Sequence, residues 1–477
     1  MHRFITVVVV LLIASAADVR AQATQPSFVL CMADDQGFGD VHYNGEAKLQ
    51  TPVLDEMART GLRLDRFYAA APVCSPTRGS FLTGRHPNRF GCFKWGHTLR
   101  PQELTLAEAL KGAGYRTGHF GKWHLGSVRA QSPVSPGNSG FDTWVSAPNY
   151  IDNDPLLSHG GTVKRHAGES SMICVDEALK FIREASHNRE PFCAVIWFGS
   201  PHNPHRGTDE LMKLYEGQGL DVKQQAYFAE ITGIDRAMGK LRQQLREMKL
   251  ADRTLLLYTS DNGPQGPDAK RPGSAGVFRG RKAQLLEGGI RVPAIIEWPA
   301  VITAPRPSDA PCNSSDVYPT VLELAGVEVS DQVRPLDGVS LASLIRTGTF
   351  GRRQPMGFWD YPARGVRSPS EQLLEEQQLG MPSTIYDDTA LSRITRQYDA
   401  NDRSGDAAWI DGDWKLLRRA QPNDAPPTVE LFNVVDDPAE RHDRAAEHPD
   451  RVERMQQALE HWQASVIHSL NGGDYGQ

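Results

Sequence analysis

Apolar runs at 27–32, 194–198, 254–259 and 292–298 are continuous, with no alternation of polar residues. Such runs predict strands buried on both faces, as in a parallel sheet covered by helices. Three of them break off into polar turns: Ala33-Asp34-Asp35-Gln36-Gly37, Gly199-Ser200-Pro201-His202 and Ser260-Asp261-Asn262-Gly263. Helical spacing appears at 52–60, 104–113, 171–185 and 224–249. Strands alternating with helices predict an α/β fold, whose sites lie at the carboxyl ends of the strands. The polar turns stand where that rule places a site.

The texture changes after about residue 351. Residues 361–406 are rich in Glu, Gln, Ser, Asp and Arg and read as a long excursion. Residues 408–417 form a hairpin pattern with Asp411-Gly412 as its turn. Val452, Met455, Leu459, Trp462 and Val466 then follow helical spacing, a packing stripe. The expected organisation is a catalytic domain at 24–355 and a C-terminal α+β subdomain with an antiparallel sheet at 356–477.

Residues 1–23 stand apart. Met1-His2-Arg3, an apolar run over 4–13 and Ala21-Gln22-Ala23 are the parts of a cleaved signal peptide. A buried N-terminal strand is the alternative. No cysteine closely follows the run, so a lipid anchor is not expected, and the mature protein is expected to be periplasmic or secreted.

Composition narrows the partners. The 477 residues are 39% hydrophobic and 23% charged, ordinary for a globular chain with a sizeable core. Net charge is −6 without a basic run, which gives a nucleic-acid partner no electrostatic support. No apolar run reaches the roughly 18–20 residues of a membrane span. Six cysteines do not make a disulfide framework in a chain of this length, and Cys31 and Cys193 sit inside apolar runs as small hydrophobes.

Two features carry chemistry. Asp34-Asp35 and Asp261-Asn262, at two strand ends, supply three carboxylates and an amide oxygen. Either pair alone reads equally well as a turn. Together they form a hard oxygen set suited to Ca²⁺ or Mg²⁺ rather than zinc. Adjacent aspartates on a straight strand point to opposite faces, so they converge only if the chain turns. The second feature is Cys74-Ser75-Pro76-Thr77-Arg78, with Pro76 in the first turn of a helix and Cys74 at its N-terminus. Arg78 then falls one turn further on the same face. Lys122 and His124 share a side if their segment is extended, and His202 sits between prolines.

These motifs resemble the formylglycine-dependent (type I) sulfatases of the alkaline-phosphatase superfamily. Thr83-Gly84-Arg85, Gly121-Lys122-Trp123-His124, Ser200-Pro201-His202, Arg281-Lys282, Glu287-Gly288-Gly289 and Gly412-Asp413-Trp414-Lys415 extend the resemblance over most of the chain. It implies a large, mostly parallel sheet sandwiched by helices. Cys74 would be oxidised to formylglycine by a formylglycine-generating enzyme, and its hydrate would be the nucleophile. Asp34, Asp35, Asp261, Asn262 and residue 74 would hold one cation, Ca²⁺ in preference to Mg²⁺. Arg78 and the metal would stabilise the nucleophile's oxyanion, and Lys122, Lys282 and the metal would bind the sulfate oxygens. His202 would protonate the leaving alcohol, and His124 would take the proton from the second hydroxyl. The expected substrate is a sulfated carbohydrate or another sulfate ester. The alternatives are a phosphonate monoester or phosphodiester hydrolase and a non-catalytic binder of sulfated glycans. Specificity is expected from 361–406 and 86–97, with Arg89, Lys94, Trp95 and His97 as candidate sugar contacts.

Overall fold

A computed structural model describes residues 25–266, 272–391 and 393–475, so the signal-peptide pattern at 1–23 lies outside the described residues. Six strands make the centre of a ten-stranded sheet: β1 Ser27–Ala33, β2 Arg116–Lys122, β3 Thr143–Ala147, β4 Phe192–Trp197, β5 Thr254–Ser260 and β6 Ala294–Glu297. They lie in the order β6-β5-β1-β4-β2-β3, with two short strands beyond each end. The five from β5 to β3 are mutually parallel. Every residue of β1, β4 and β5 is buried, the packing that their unbroken apolar runs require.

The run at 292–298 departs from expectation, because β6 pairs antiparallel to β5. A parallel partner needs a crossover back to the start of the sheet. The described residues between β5 and β6 instead include only the one-turn helix Glu287–Ile290, so the chain re-enters the sheet reversed. That return keeps Lys282 and Glu287 at the carboxyl end of the parallel strands. Register does the rest: Ala33 pairs with Ser260, and Met32 and Gly121 both pair with Trp197. Asp34, Asp261, Lys122 and the 198–202 turn therefore emerge side by side.

Helices α1 Pro52–Thr60, α2 Cys74–Thr83, α3 Ser170–His187 and α4 Val222–Glu247 cover or flank this sheet. Pro52 opens α1, but the cap comes from α4: the Asp235 carboxylate accepts the Val53 and Leu54 N–H groups at 3.2 and 2.8 Å. Burial pushes that carboxyl up to about 7. Among the described residues, no helix is long and apolar enough to cross a membrane.

Met356–Asp360, Asp406–Asp411, Trp414–Arg419 and Thr428–Asn433 form an antiparallel four-stranded sheet. Asp411 pairs with Trp414, so the hairpin loop is Gly412-Asp413, one residue later than expected, with Gly412 at φ 60°. The stretch 361–406 contains helix α5, Ser370–Gln378. Met455, Leu459 and Val466 of helix α6, Pro449–Leu470, are buried with Trp359 and Leu416 of the small sheet.

The two sheets are joined by a buried ionic triad. Lys415 Nζ lies 3.0 Å from Glu287 and 2.9 Å from Glu440, and all three side chains are fully buried. Burial alone would raise the Glu287 carboxyl; Lys415 and Arg291 more than offset it and hold it below the ordinary range. Tyr68 donates to the other Glu287 oxygen at 2.9 Å.

Lys415→Met leaves buried Glu440 without its cation and Glu287 with Arg291 alone, and should cost about 3–5 kcal/mol of stability, read by urea denaturation. Asp235 gives a pH-dependent prediction. Its folded pKa of about 7 exceeds the ordinary ~3.9 of an unfolded chain, so between those values the folded state binds more protons. Stability contributed at this site is therefore present at low pH and lost as pH rises through that window. Asp235→Asn keeps the acceptor without the charge, so the stability of the wild type relative to this variant should fall between pH 4 and 7.

Candidate active site

Asp35 adopts φ 64° directly after β1, the left-handed region that side chains avoid. The resulting turn brings both carboxylates to one point: Asp34 Oδ1 lies 3.5 Å and Asp35 Oδ1 3.8 Å from Cys74 Sγ. Cys74 opens α2 and is buried. The next helical turn supplies Arg78. Its Nε and Nη2 both donate to Asp261 Oδ2, at 3.0 and 2.6 Å, and Nη1 donates to the Lys122 carbonyl at 3.2 Å. Arg78 therefore braces the end of β5 against the end of β2.

Two lysines complete the charge set. Lys122 Nζ donates to Asp34 Oδ2 at 2.6 Å, and Lys282 Nζ donates to both Asp35 oxygens and sits 3.4 Å from Cys74 Sγ. The Lys282 loop is pinned by backbone bonds to Pro264 and Pro72. Burial raises the Asp35 carboxyl, but Lys282, His202 and Lys122 overcome it and hold it far below the usual range. Asp261 ends the other way: burial and the neighbouring Asp34 push it up despite Arg78. Burial and Asp261 also push the Cys74 thiol up, which keeps it protonated.

Lys122 and His124 do meet at the site, but not by strand alternation. Lys122 ends β2, and His124 at φ 54° turns the chain. Neither His124 ring nitrogen has a hydrogen-bond partner among the described residues, and burial with the Lys122 and Arg78 charges keeps the ring well below its ordinary pKa. It is a neutral imidazole with a free acceptor. His202 Nε2 lies 3.6 Å from Asp35, and its Nδ1 is fixed 2.6 Å from the Asn203 carbonyl. Burial is again the main cause that lowers its pKa, opposed by Asp35.

The donor chemistry fits a hard cation. Asp34, Asp35, Cys74 and His202 bring ligand atoms within 4.8 Å of one another. Asn262 donates through Nδ2 to Asp35 at 2.7 Å, which leaves its Oδ1 buried without a partner among the described residues. Asp261 is engaged by Arg78. Three carboxylates converge here and one is pushed towards neutrality, so a further positive charge would be stabilising.

Cys74, His124, His202 and Lys282 line a cleft of about 540 Å³ together with Trp95, Tyr150 and Arg367. Trp95 is 40% exposed at its edge. Of the other residues expected to touch sugar, Arg89 is buried and clamped bidentate to Asp337. His97 bonds the carbonyls of Gly91 and Arg364. Lys94 is paired with Asp360 but still lines the neighbouring hollow. Sequence reading missed Gln265, whose Nε2 bridges Asp35 and Asn203 at 2.7 and 2.8 Å. It also missed Tyr150, and it named the 361–406 stretch that supplies Arg367 without singling that residue out.

Comparison with known proteins gives the same answer from outside the site. Residues 26–327 match the family model described as Sulfatase. The chain belongs to the sulfatase family. Steryl-sulfatase of Rattus norvegicus is 33% identical over 418 residues, which covers 67% of this chain and 70% of that protein. N-acetylgalactosamine-6-sulfatase of Sus scrofa is 34% identical over 381 residues, 72% of this chain and 70% of the relative. Among solved structures, Ps i-CgsB in complex with k-i-k-neocarrahexaose superimposes with a TM-score of 0.76 at 23% identity, covering 94% of this chain and 97% of that one. The fold is that of the alkaline-phosphatase superfamily, and this sulfatase is a sulfuric ester hydrolase.

In the structure Arg78 engages Asp261 and the Lys122 carbonyl at once. Lysine keeps the charge but cannot make the fork to Asp261 together with the bond to the Lys122 carbonyl. Arg78→Lys should lower kcat/KM for 4-nitrophenyl sulfate by about 10–100-fold, the effect to expect where Asp261 is a metal ligand and Arg78 its support.

Proposed function

We propose that this sulfatase is exported and hydrolyses a sulfate monoester of a carbohydrate, using residue 74 as formylglycine beside one divalent cation. The observation that carries the reading is the position of Cys74 Sγ, between the Asp34 and Asp35 carboxylates and 3.4 Å from Lys282 Nζ, in the cleft that holds His124 and His202. The leader pattern at 1–23 supports export. The sugar named for the N-acetylgalactosamine-6-sulfatases and the k-i-k-neocarrahexaose on the structural relative support a carbohydrate.

A thiol is the wrong group for this position. Attack on sulfur by a thiolate leaves a thiosulfate with no easy exit. As formylglycine hydrate, residue 74 would carry two hydroxyls on one carbon, one to attack sulfur and one to expel sulfate. Asp34, Asp35, Asn262 and Asp261 with residue 74 would hold the cation, Ca²⁺ by its hard oxygen donors, which would add positive charge beside the sulfate oxygens. Lys122 and Lys282 orient and neutralise those oxygens. His202, at the open side of the cleft, gives the proton to the departing alcohol. His124, neutral and unpartnered, takes the proton that frees the second hydroxyl.

Peptide mass spectrometry of active protein purified from a host with a formylglycine-generating enzyme should find an aldehyde at position 74. An unmodified thiol in fully active enzyme would overturn the reading. Cys74→Ala should abolish turnover with little change in thermal stability, and Cys74→Ser should stop as a sulfated ester after one partial turnover. Metal analysis should return one Ca²⁺ per chain. Faster turnover of an aryl phosphodiester than of an aryl sulfate would favour phosphoester chemistry instead.

A further inference from the structure

The cleft does not end at the nucleophile. It is the middle of three hollows in series. On one side it shares Asn149, Tyr150, Ser368 and Pro369 with a hollow of about 360 Å³. On the other it shares Trp95 and Lys282 with a second hollow, of about 390 Å³. An aromatic ring thus stands at each boundary, Tyr150 on one and Trp95 on the other. Such rings present a flat apolar face with a polar tip, suited to the face of a sugar.

Trp95 is held as a fixed wall. Its carbonyl accepts the Val366 N–H at 2.9 Å, and the following Gly96 N–H donates to Ser75 Oγ at 2.8 Å, beside the nucleophile. Gly365 packs flat against the indole, where a Cβ would lie 2.1 Å from the ring. An exposed tryptophan tied by backbone bonds to the nucleophile's own helix loses little entropy when a ligand covers it.

Charge differs between the two flanks. In the hollow beyond Trp95, Lys94 pairs with Asp360 and Lys282 with Asp35, while Arg281, bonded to the Gln265 carbonyl, has no carboxylate partner among the described residues. In the hollow beyond Tyr150, Arg206 pairs with Asp152 at 2.9 Å and Arg165 with Glu371 at 3.1 Å. Arg367, exposed in the middle compartment, has no ion-pair or hydrogen-bond partner among the described residues.

We infer that the substrate is a polyanionic oligosaccharide that crosses all three hollows, so that sulfate is removed from an internal residue, with a further anionic group held on the Trp95 side. The inference rests on the carbohydrate sulfatase reading above. A terminal-residue enzyme would close the cleft on one side of the nucleophile; here both sides continue.

The test uses size ladders of mono- to hexasaccharides from sulfated galactans, fucans and glycosaminoglycans, with 4-nitrophenyl sulfate as the small substrate. For the ladder that reacts, kcat/KM should rise at least tenfold from the monosaccharide to members that extend on both sides. Mass spectrometry should then place the lost sulfate on an internal residue. Trp95→Ala should cost at least tenfold more kcat/KM on the tetrasaccharide than on 4-nitrophenyl sulfate, and Trp95→Phe should restore most of the difference. Arg367→Gln should raise KM on the ladder with kcat nearly constant. Best activity on the monosaccharide, loss of sulfate from chain ends alone, or equal losses for Trp95→Ala on both substrates would overturn the inference. Release from 4-nitrophenyl sulfate but from no ladder would also overturn it while ester hydrolysis stands. Release from none of the substrates would overturn the reading beneath it.

Discussion

Three buried carboxylates converge at the floor of the cleft, and the rest of the structure answers to that constraint. Asp34, Asp35 and Asp261 are essentially unexposed. Buried like charges cannot stay ionised unless cations are brought to them. Arg78, Lys122 and Lys282 come from α2, β2 and the loop before β6, and each bonds one of the three acids directly. The backbone bears part of the cost. Asp35 and His124 both sit in the left-handed region, at about 1–3 kcal/mol each. Strain of that size persists because neighbouring strands fix both segments: the Asp34 N–H is held by Ser200 and the His124 N–H by Pro148.

The scaffold explains how six segments meet within a few ångströms. Parallel strands deliver their ends to one edge, so each strand-end residue needs only the right register. Lys282 has no strand to place it. Its loop depends on the returning chain, where Gly263 and Gly288 touch so closely that a Cβ on Gly263 would lie 2.0 Å from the Gly288 carbonyl. Glu287, beside that contact, is tied to Lys415 of the small sheet and through it to Glu440. The C-terminal sheet thus braces the loop that carries a cation into the site. The same region lends Arg367 and the Gly365-Val366 backbone to the cleft wall.

Much of this was legible in the sequence because the constraint is local. Continuous apolar runs ending in Asp34-Asp35 or Asp261-Asn262 announce buried strands with acidic ends, and Cys74 with Pro76 announces a helix start. Direction was not legible: β6 has the same apolar texture as a parallel strand, and only the path of the preceding loop reverses it. Long-range partners were equally hidden. Arg89 looked like a surface cation near the site, but it is consumed by Asp337, 248 residues away in sequence. Gln265, Tyr150 and Arg367 reach the cleft because distant segments stack there, a fact no spacing rule carries. The convergence of Lys122 and His124 was foreseen for a reason that fails, since His124 itself leaves the extended state at φ 54°.

Charge balance ties the site to its chemistry. Three aspartates face three protein cations, so the protein charges alone leave no surplus for an anionic ester. A divalent cation would create that surplus and leave the lysines free to act on sulfate oxygens as well as on Asp34 and Asp35. Charge that builds on those oxygens in the transition state would then meet dipoles and ammoniums already fixed by burial, where reorganisation costs little. His202 has to be protonated to act as the acid, and Asp35, 3.6 Å away, favours that form against the effect of burial. The cationic surroundings that lower the pKa of His124 keep it available as a base, and they make protonated His202 a strong acid towards a departing alcohol. In the proposed reaction, one set of buried charges would therefore hold the fold at the strand ends, position the nucleophile and set the proton chemistry on both sides of sulfur.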